Sequence, residues 1–155
     1  MLAWLLIPPA LQALAMFVDE GLFHRKRGLP RWERLGHPLD TLTAAACYGF
    51  LLAMPRSHPH ALPIYIGLCA FSCLFITKDE LVHAKACEPL EIWLHSLLFV
   101  LHPIVFLCFG WIWDSGGQRW ILQGAFASTL ALASYQFLYW QLRAKPELER
   151  AEPKP

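Results

Sequence analysis

The chain has 155 residues, of which 56% are hydrophobic and only 16% are charged, and its formal net charge is +1. Soluble domains carry about 25% charged residues. The low charged fraction and the mean hydropathy of +0.38 therefore argue against a soluble domain. The near-neutral net charge gives no indication of a nucleic-acid partner. We interpret the chain as an integral membrane protein.

Five apolar stretches follow one another, at approximately residues 2–18, 39–54, 61–77, 92–113 and 120–142. A membrane-spanning helix needs about 20 apolar residues, and these stretches lack the alternation of membrane β-strands. The sequence therefore predicts an all-α integral membrane protein with about five transmembrane helices. This helical domain is expected to cover residues 1–143. Residues 144–155 are charged and rich in proline, and are expected to form a disordered cytoplasmic tail.

Lysine and arginine are divided unequally between the two ends of the predicted bundle. With five spans, one end holds 11 of these residues, and the other holds only Arg56 and Arg119. Basic residues favour the cytoplasmic side. We therefore predict a protein of the cell inner membrane, with its N-terminus outside and the 19–38 and 78–91 connections in the cytoplasm. Tyr139 and Trp140 are expected to join an aromatic belt at the inner face.

The two connections on the basic side have similar sequences. Aspartate, glutamate, histidine, proline, glutamate and histidine occur in the same order in both, at positions 19, 20, 24, 30, 33 and 37 and at positions 79, 80, 83, 89, 91 and 95. The spacings from histidine to proline and from the second glutamate to the second histidine are the same in both copies. Such a match is hard to obtain by chance. It predicts a duplicated helical hairpin, approximately 2–54 and 61–113, with a pseudo-twofold axis along the membrane normal.

Each copy pairs carboxylates with imidazoles at helical spacing, so that both groups share one face of a helix. The pattern resembles, in motif and geometry, the Glu-x-x-His pairs of di-iron and di-manganese four-helix-bundle proteins. This resemblance implies a dinuclear site at the cytoplasmic face, with two iron ions as the leading candidate and manganese or zinc as alternatives. The predicted metal ligands are Glu20, His24, His37, Glu80, His83, Glu91 and His95. A solvated surface cluster without metal is the structural alternative.

Further residues are expected to bind the metals or to orient their ligands, namely Asp19, Glu33, Asp40, Asp79 and His102. His102 lies seven residues beyond His95, about 10 Å deeper in the same span. An ionisable group at that depth is a functional candidate, and a neutral histidine bonded to serine or a carbonyl is the alternative. Cys87 is an alternative thiolate ligand. The His37-Pro38 pair is expected to start the second span.

No P-loop, dinucleotide fingerprint, zinc-protease motif or serine elbow is present in the sequence. The leading hypothesis is an oxygen-dependent oxidoreductase of the hydroxylase, desaturase or oxidase type. Its substrate would be a lipid, a quinone or another membrane-soluble molecule, and an external donor would supply electrons. Other expected partners are membrane lipids. The alternatives are a divalent metal transporter, sensor or chaperone, and a non-catalytic membrane assembly subunit that binds no metal.

Overall fold

The computed structural model describes residues 3–80, 83 and 87–143, and the described residues form five helices and no strand. The all-α prediction is therefore confirmed. The predicted tail, residues 144–155, lies outside the described residues. The helices are α1 (Ala3–Arg27), α2 (Arg31–Ala53), α3 (Ala61–Asp79), α4 (Pro89–Asp114) and α5 (Arg119–Leu138, continued by a wider turn over Tyr139–Arg143). Three of them, α1, α3 and α4, are long and apolar enough to span a membrane.

The start of α2 differs from the expectation. The helix begins at Arg31, after the extended Pro30, and Pro38 lies inside it. A proline within a helix leaves the carbonyl four residues earlier without its usual donor. Here the Gln141 side-chain amide, at the end of α5, donates to the Arg34 carbonyl. This contact from another helix explains why the helix continues through Pro38, and it places Glu33 and His37 on a regular helix.

Packing between helices that are distant in sequence organises the bundle. The most extensive contacts join α2 to α5 and α1 to α4. The α1–α4 pair brings the C-terminal end of α1 beside the N-terminal end of α4. At that end of the bundle, called the basic end below, the chain also carries Arg27 and Lys78. The far end is filled by a hydrophobic core.

The far core fixes how closely α3 and α4 approach. The Tyr65 hydroxyl donates to the Phe106 carbonyl at 2.8 Å. A Cβ atom at Gly110 would lie 2.9 Å from the Tyr65 ring, so only glycine allows this approach. Tyr48 packs edge-on against Phe109, with ring centroids 4.9 Å apart. Aromatic pairs in this geometry add stabilisation beyond their buried area, which makes the far end a rigid base for the polar basic end.

Candidate metal centre

The C-terminal part of α1 widens into a π-helical turn over Asp19–His24. Because a π-helix bonds each residue to the fifth one along, residues five apart approach each other. His24 Nε2 accordingly lies 3.2 Å from Asp19 Oδ2, and His24 Nδ1 lies 3.4 Å from Glu20 Oε2. All three side chains are buried. The turn thus presents two carboxylates and one imidazole to the interior.

Two further helices each supply a glutamate and a histidine one turn apart. Glu33 and His37 lie at the N-terminal end of α2, and Glu91 and His95 lie at the N-terminal end of α4. Glu33, Glu91 and His95 are buried. His95 Nε2 lies 3.1 Å from both carboxylate oxygens of Asp19, so α1 and α4 contact each other through functional groups.

His83 comes from the connection between α3 and α4, and it is buried. Its Nε2 atom lies 4.0 Å from Glu33 Oε1, and its ring centroid lies 4.1 Å from that of His95. Burial, followed by the nearby His95, lowers the pKa of His83 to about 4. The imidazole is therefore neutral near pH 7, the form in which histidine binds metals.

The four histidines form a closed ring around the centre of the site. Ring centroids are separated by 4.6 Å for His24 and His37, 6.1 Å for His37 and His83, 4.1 Å for His83 and His95, and 6.0 Å for His24 and His95. Such close imidazoles cannot all be protonated without strong mutual repulsion. The four rings therefore surround a shared space without all carrying a charge.

Ligand atoms of these side chains converge in four overlapping groups, and the two groups that combine residues of both connections are called the ligand sets. The first set is Asp19, His24, Glu91 and His95, and the second is Glu33, His37 and His83. Within each set, one potential ligand atom from every residue lies within 4.8 Å of the others. Glu20 forms a further group with His24 and His37, and Cys87 forms one with His83 and His95. Mixed carboxylate and imidazole donors suit iron, manganese or zinc.

Several histidine nitrogens have no hydrogen-bond partner within the described part of the chain. They are His24 Nε2, His95 Nδ1 and both ring nitrogens of His83. Buried polar atoms are nearly always partnered in native proteins, and each exception calls for an explanation. Nitrogens that face carboxylate oxygens without a hydrogen bond are what a set of metal ligands provides. The donor atoms therefore fit bound metal ions.

Carboxylates outnumber cations in this buried region. Asp19, Glu20, Glu33 and Glu91 are all buried. Among the lysines and arginines that the structure describes, only Arg27 forms an ion pair with them: its Nη2 atom lies 2.8 Å from Glu33 Oε2 and 3.0 Å from Glu91 Oε1. Buried charges need compensation. Divalent cations within the two sets would supply the missing positive charge.

Helix α5 contributes residues that the sequence pattern did not single out. The Gln136 amide donates to Glu20 Oε2 at 3.2 Å, and the Trp140 indole N–H donates to Glu20 Oε1. Trp140 is only 2% exposed, so its predicted place in an aromatic belt is wrong. Hydrogen bonds of this kind fix the orientation of a ligating carboxylate.

We expect Trp140→Phe to weaken metal binding about tenfold or more, because it keeps the ring but removes the donor to Glu20. The measurement is a competition titration with a chelator of known affinity. Trp111→Phe is the matched control, since Trp111 is 64% exposed at the far end of α4. Equal affinities for the two variants would contradict this role of Trp140.

The remaining predicted residues lie outside the two sets. Glu80 is exposed and belongs to none of the groups above. Lys78 Nζ donates to Asp40 at 2.6 Å and to Asp79 at 2.8 Å, and Asp79 also accepts from the Trp32 indole at 3.1 Å. These two aspartates form a separate ion-pair cluster with Lys78.

Two other residues raised by the sequence also have defined surroundings. His102 lies deeper in α4, where its Nε2 atom is 3.0 Å from Ser72 Oγ and its Nδ1 atom is 3.2 Å from Gln12 Nε2. Its ring is therefore hydrogen-bonded on both sides, which agrees with the alternative prediction of a histidine bonded to serine. Burial raises the pKa of Cys87 to about 12, so without a metal its thiol stays protonated near neutral pH.

A cavity of about 160 Å³ connects the basic end with the interior of the bundle. Its lining includes His37, His83 and His95 at one end and His102 at the other.

Comparison with protein-family models, curated proteins and solved structures gives no significant match. The fold and the site define an all-helical protein with candidate membrane spans and a buried histidine–carboxylate cluster that can hold metal ions.

Proposed function

We propose that this chain is an integral protein of the cell inner membrane in which all five helices cross the bilayer, with the basic end in the cytoplasm and the N-terminus outside. Large apolar side chains that cover the bundle support it: Phe17, Leu107 and Leu74 are 77%, 74% and 72% exposed. Soluble proteins rarely expose such surfaces. The division of basic residues, 11 against 2, supports the orientation.

The basic end holds, in this proposal, a dinuclear metal centre with iron as the first candidate. The crosswise composition of the two ligand sets carries the proposal. His24 of the first repeat copy meets Glu91 and His95 of the second, while His83 of the second meets Glu33 and His37 of the first. Exchanging the two copies converts one set into the other for every residue except Asp19, whose counterpart Asp79 pairs with Lys78 instead. A duplicated helical hairpin with a pseudo-twofold axis predicts this exchange, and unrelated surface pairs do not.

The proposed ligands are the members of both sets, with Glu20 beside His24 and His37. They differ from the sequence-based set in including Asp19 and Glu33 directly and in leaving out the exposed Glu80. Arg27 holds Glu33 and Glu91 in place, while Gln136 and Trp140 hold Glu20. These contacts come from α1, α2, α4 and α5, so four of the five helices orient the centre.

The reaction class we infer is oxygen-dependent oxidation of a lipid, quinone or other membrane-soluble substrate, of the hydroxylase or desaturase type. Two bound irons would supply the capacity to reduce dioxygen. Dioxygen takes four electrons in such a reaction, two from the substrate and two from an external donor, with two protons from water. A hydroxylase would insert one oxygen atom into a carbon–hydrogen bond and release the other as water, whereas a desaturase would take two hydrogens from the substrate and release both oxygen atoms as water. The chain itself would bind the substrate in the cavity, keep water out and hold the metal ligands.

Metal handling is the alternative from another class. A transporter needs a polar path from one side of the bilayer to the other. The described residues of the far half form instead a hydrophobic core that includes Tyr48, Phe109 and Ile112. Apart from the metal centre, the structure thus gives little support to a transporter. A sensor or chaperone would hold its ion loosely. An assembly subunit would hold none.

Elemental analysis of the full chain, purified in detergent from cells supplied with iron, manganese and zinc, separates these functions. We expect about two ions per chain that resist dialysis, as in dinuclear carboxylate proteins. Ions that exchange rapidly would favour metal handling. Folded protein that binds no metal at all would contradict both proposals and leave the assembly subunit.

A further inference from the structure

An apolar groove runs between α1 and α5. It has a volume of about 980 Å³, and its lining extends from Leu6 and Trp120 at the far end to Arg25 and Tyr135 at the basic end. The distance along α1 from Leu6 to Arg25 is about 28 Å at the rise of an α-helix. The groove is therefore nearly as long as the hydrocarbon core of a bilayer, about 30 Å.

The groove adjoins the cavity of the metal centre. Six residues line both spaces: Gln12, Met16, Glu20, Tyr48, Thr129 and Leu132. At the basic end, Arg25 Nη2 donates to the Tyr135 hydroxyl at 2.8 Å and thereby joins α1 to α5 across the mouth. A molecule would consequently enter sideways from the bilayer, between the two helices, and not from the aqueous phase.

A chain of hydrogen bonds defines the polar chemistry at the junction of groove and cavity. The Gln12 amide N–H donates to His102 Nδ1 at 3.2 Å, so His102 carries its proton on Nε2 and donates to Ser72 Oγ at 3.0 Å. Ser72 lies 2.7 Å from the Thr43 hydroxyl, which donates to the Asp40 carbonyl. Every donor in this chain is used except the second N–H of the Gln12 amide.

The Gln12 side-chain oxygen is the open end of that chain. Gln12 Oε1 is buried and has no hydrogen-bond partner among the described residues. Buried acceptors without a donor are costly. Because the rest of the chain fixes the direction of its hydrogen bonds, Gln12 offers an acceptor to whatever fills the junction. A hydroxyl group is the matching donor on an otherwise apolar molecule.

We propose that the α1–α5 groove binds a long-chain, lipid-soluble molecule that carries a hydroxyl group, with its chain between α1 and α5 and its hydroxyl donating to Gln12 Oε1. The proposal rests on the proposed function, because it names the class of substrate that reaches the metal centre. It excludes a purely hydrocarbon substrate, and a substrate whose polar end is only an acceptor would leave Gln12 Oε1 without a donor.

Photolabelling of the full chain in lipid nanodiscs tests the groove. The probe is a long-chain fatty alcohol with a diazirine in its chain, and the readout is the labelled fraction of α1 and α5 peptides. Gly124 lines the groove, and a Cβ atom there meets nothing within 4 Å. Gly124→Phe should fill the groove and lower the labelling about tenfold, as a loss of about 1.4 kcal/mol in binding would.

Gly67→Phe is the matched control, because a Cβ atom at Gly67 on α3 also meets nothing within 4 Å, and Gly67 does not line the groove. It should label like the wild type. Labelling that Gly124→Phe leaves unchanged, or that Gly67→Phe lowers equally, would overturn the groove as the binding site. Both variants should keep the wild-type metal content, which shows that they are folded.

Competition with unlabelled molecules tests the hydroxyl. Hexadecanol should compete better than hexadecane or a long-chain ketone, and Gln12→Leu should reduce that preference about fivefold, the effect of one hydrogen bond. Equal competition by all three in the wild type would overturn the role of Gln12. Metal analysis of the same samples keeps the two proposals separate: labelling without bound metal contradicts the metal centre alone, and metal without labelling contradicts the groove alone.

Discussion

Replacing His24 with alanine is expected to lower the metal content of the purified protein from about two ions per chain to about one or fewer. His24 belongs to the first ligand set and also to the group with Glu20 and His37. The substitution therefore removes a ligand that lies beside both proposed ions. Elemental analysis after dialysis is the measurement, and circular dichroism checks that the helices remain folded.

The control for His24→Ala is Glu80→Gln, which changes a residue of the other repeat copy. Glu80 matches Glu20 in the sequence pattern but is exposed and lies outside both ligand sets. It should leave the metal content unchanged. If His24→Ala retained both ions, or if Glu80→Gln lost as much metal, the geometric assignment of ligands would be wrong.

Arg27→Gln is expected to destabilise the metal-free protein by about 3 kcal/mol, the usual cost of leaving buried carboxylates without their cation. The Arg27 guanidinium contacts both Glu33 and Glu91, and its side chain is only 18% exposed. Metal ions would neutralise the same carboxylates, so the loss should be smaller when metal is bound. Unfolding in mixed micelles, with and without a chelator, measures both values.

Lys26→Gln is the matched control for Arg27→Gln, since it removes the same charge from the neighbouring residue. The Lys26–Glu88 pair is exposed, at 72% and 61%, and exposed pairs contribute little to stability. Its variant should unfold like the wild type under both conditions. A deficit in Arg27→Gln that metal does not reduce would show that Arg27 and the ions do not share these carboxylates.

The helical class and the glutamate–histidine pairs could be predicted because their signals are local. Glu33 with His37, and Glu91 with His95, lie one turn apart wherever a helix forms. The sequence also suggested that the two connections meet. The contacts of α1 with α4, which bring them together, depend on packing between distant segments and have no local signal.

The exposed position of Glu80 could not be predicted from the sequence repeat alone. Neighbouring residues on a regular helix point in directions about 100° apart. On such a helix, Asp79 and Glu80 cannot both face the interior of the bundle. In the first copy, the π-helical turn over Asp19–His24 lets both acidic residues be buried. In the second copy, α3 ends in a tight 3-10 turn over Ile76–Asp79, and only Asp79 is buried.

The supporting residues were missed for a related reason. Trp140 and Gln136 belong to α5, which has no counterpart in the repeat. A tryptophan near the end of a span is typical of an aromatic belt, and Trp140 was interpreted in that way. Pro38 suggested a helix start, because the donor that compensates for it, Gln141, lies about a hundred residues further along the chain. Tertiary hydrogen bonds of this kind cannot be derived from local propensity.

X-ray absorption spectroscopy of the iron-loaded full chain tests most directly whether the metal centre holds two ions close together. We expect nitrogen and oxygen neighbours that include imidazole, and a second metal at about 3.5–4 Å, the spacing of two-metal sites. A spectrum with imidazole but no neighbouring metal would reduce the centre to a single ion. A spectrum without imidazole would contradict the site itself.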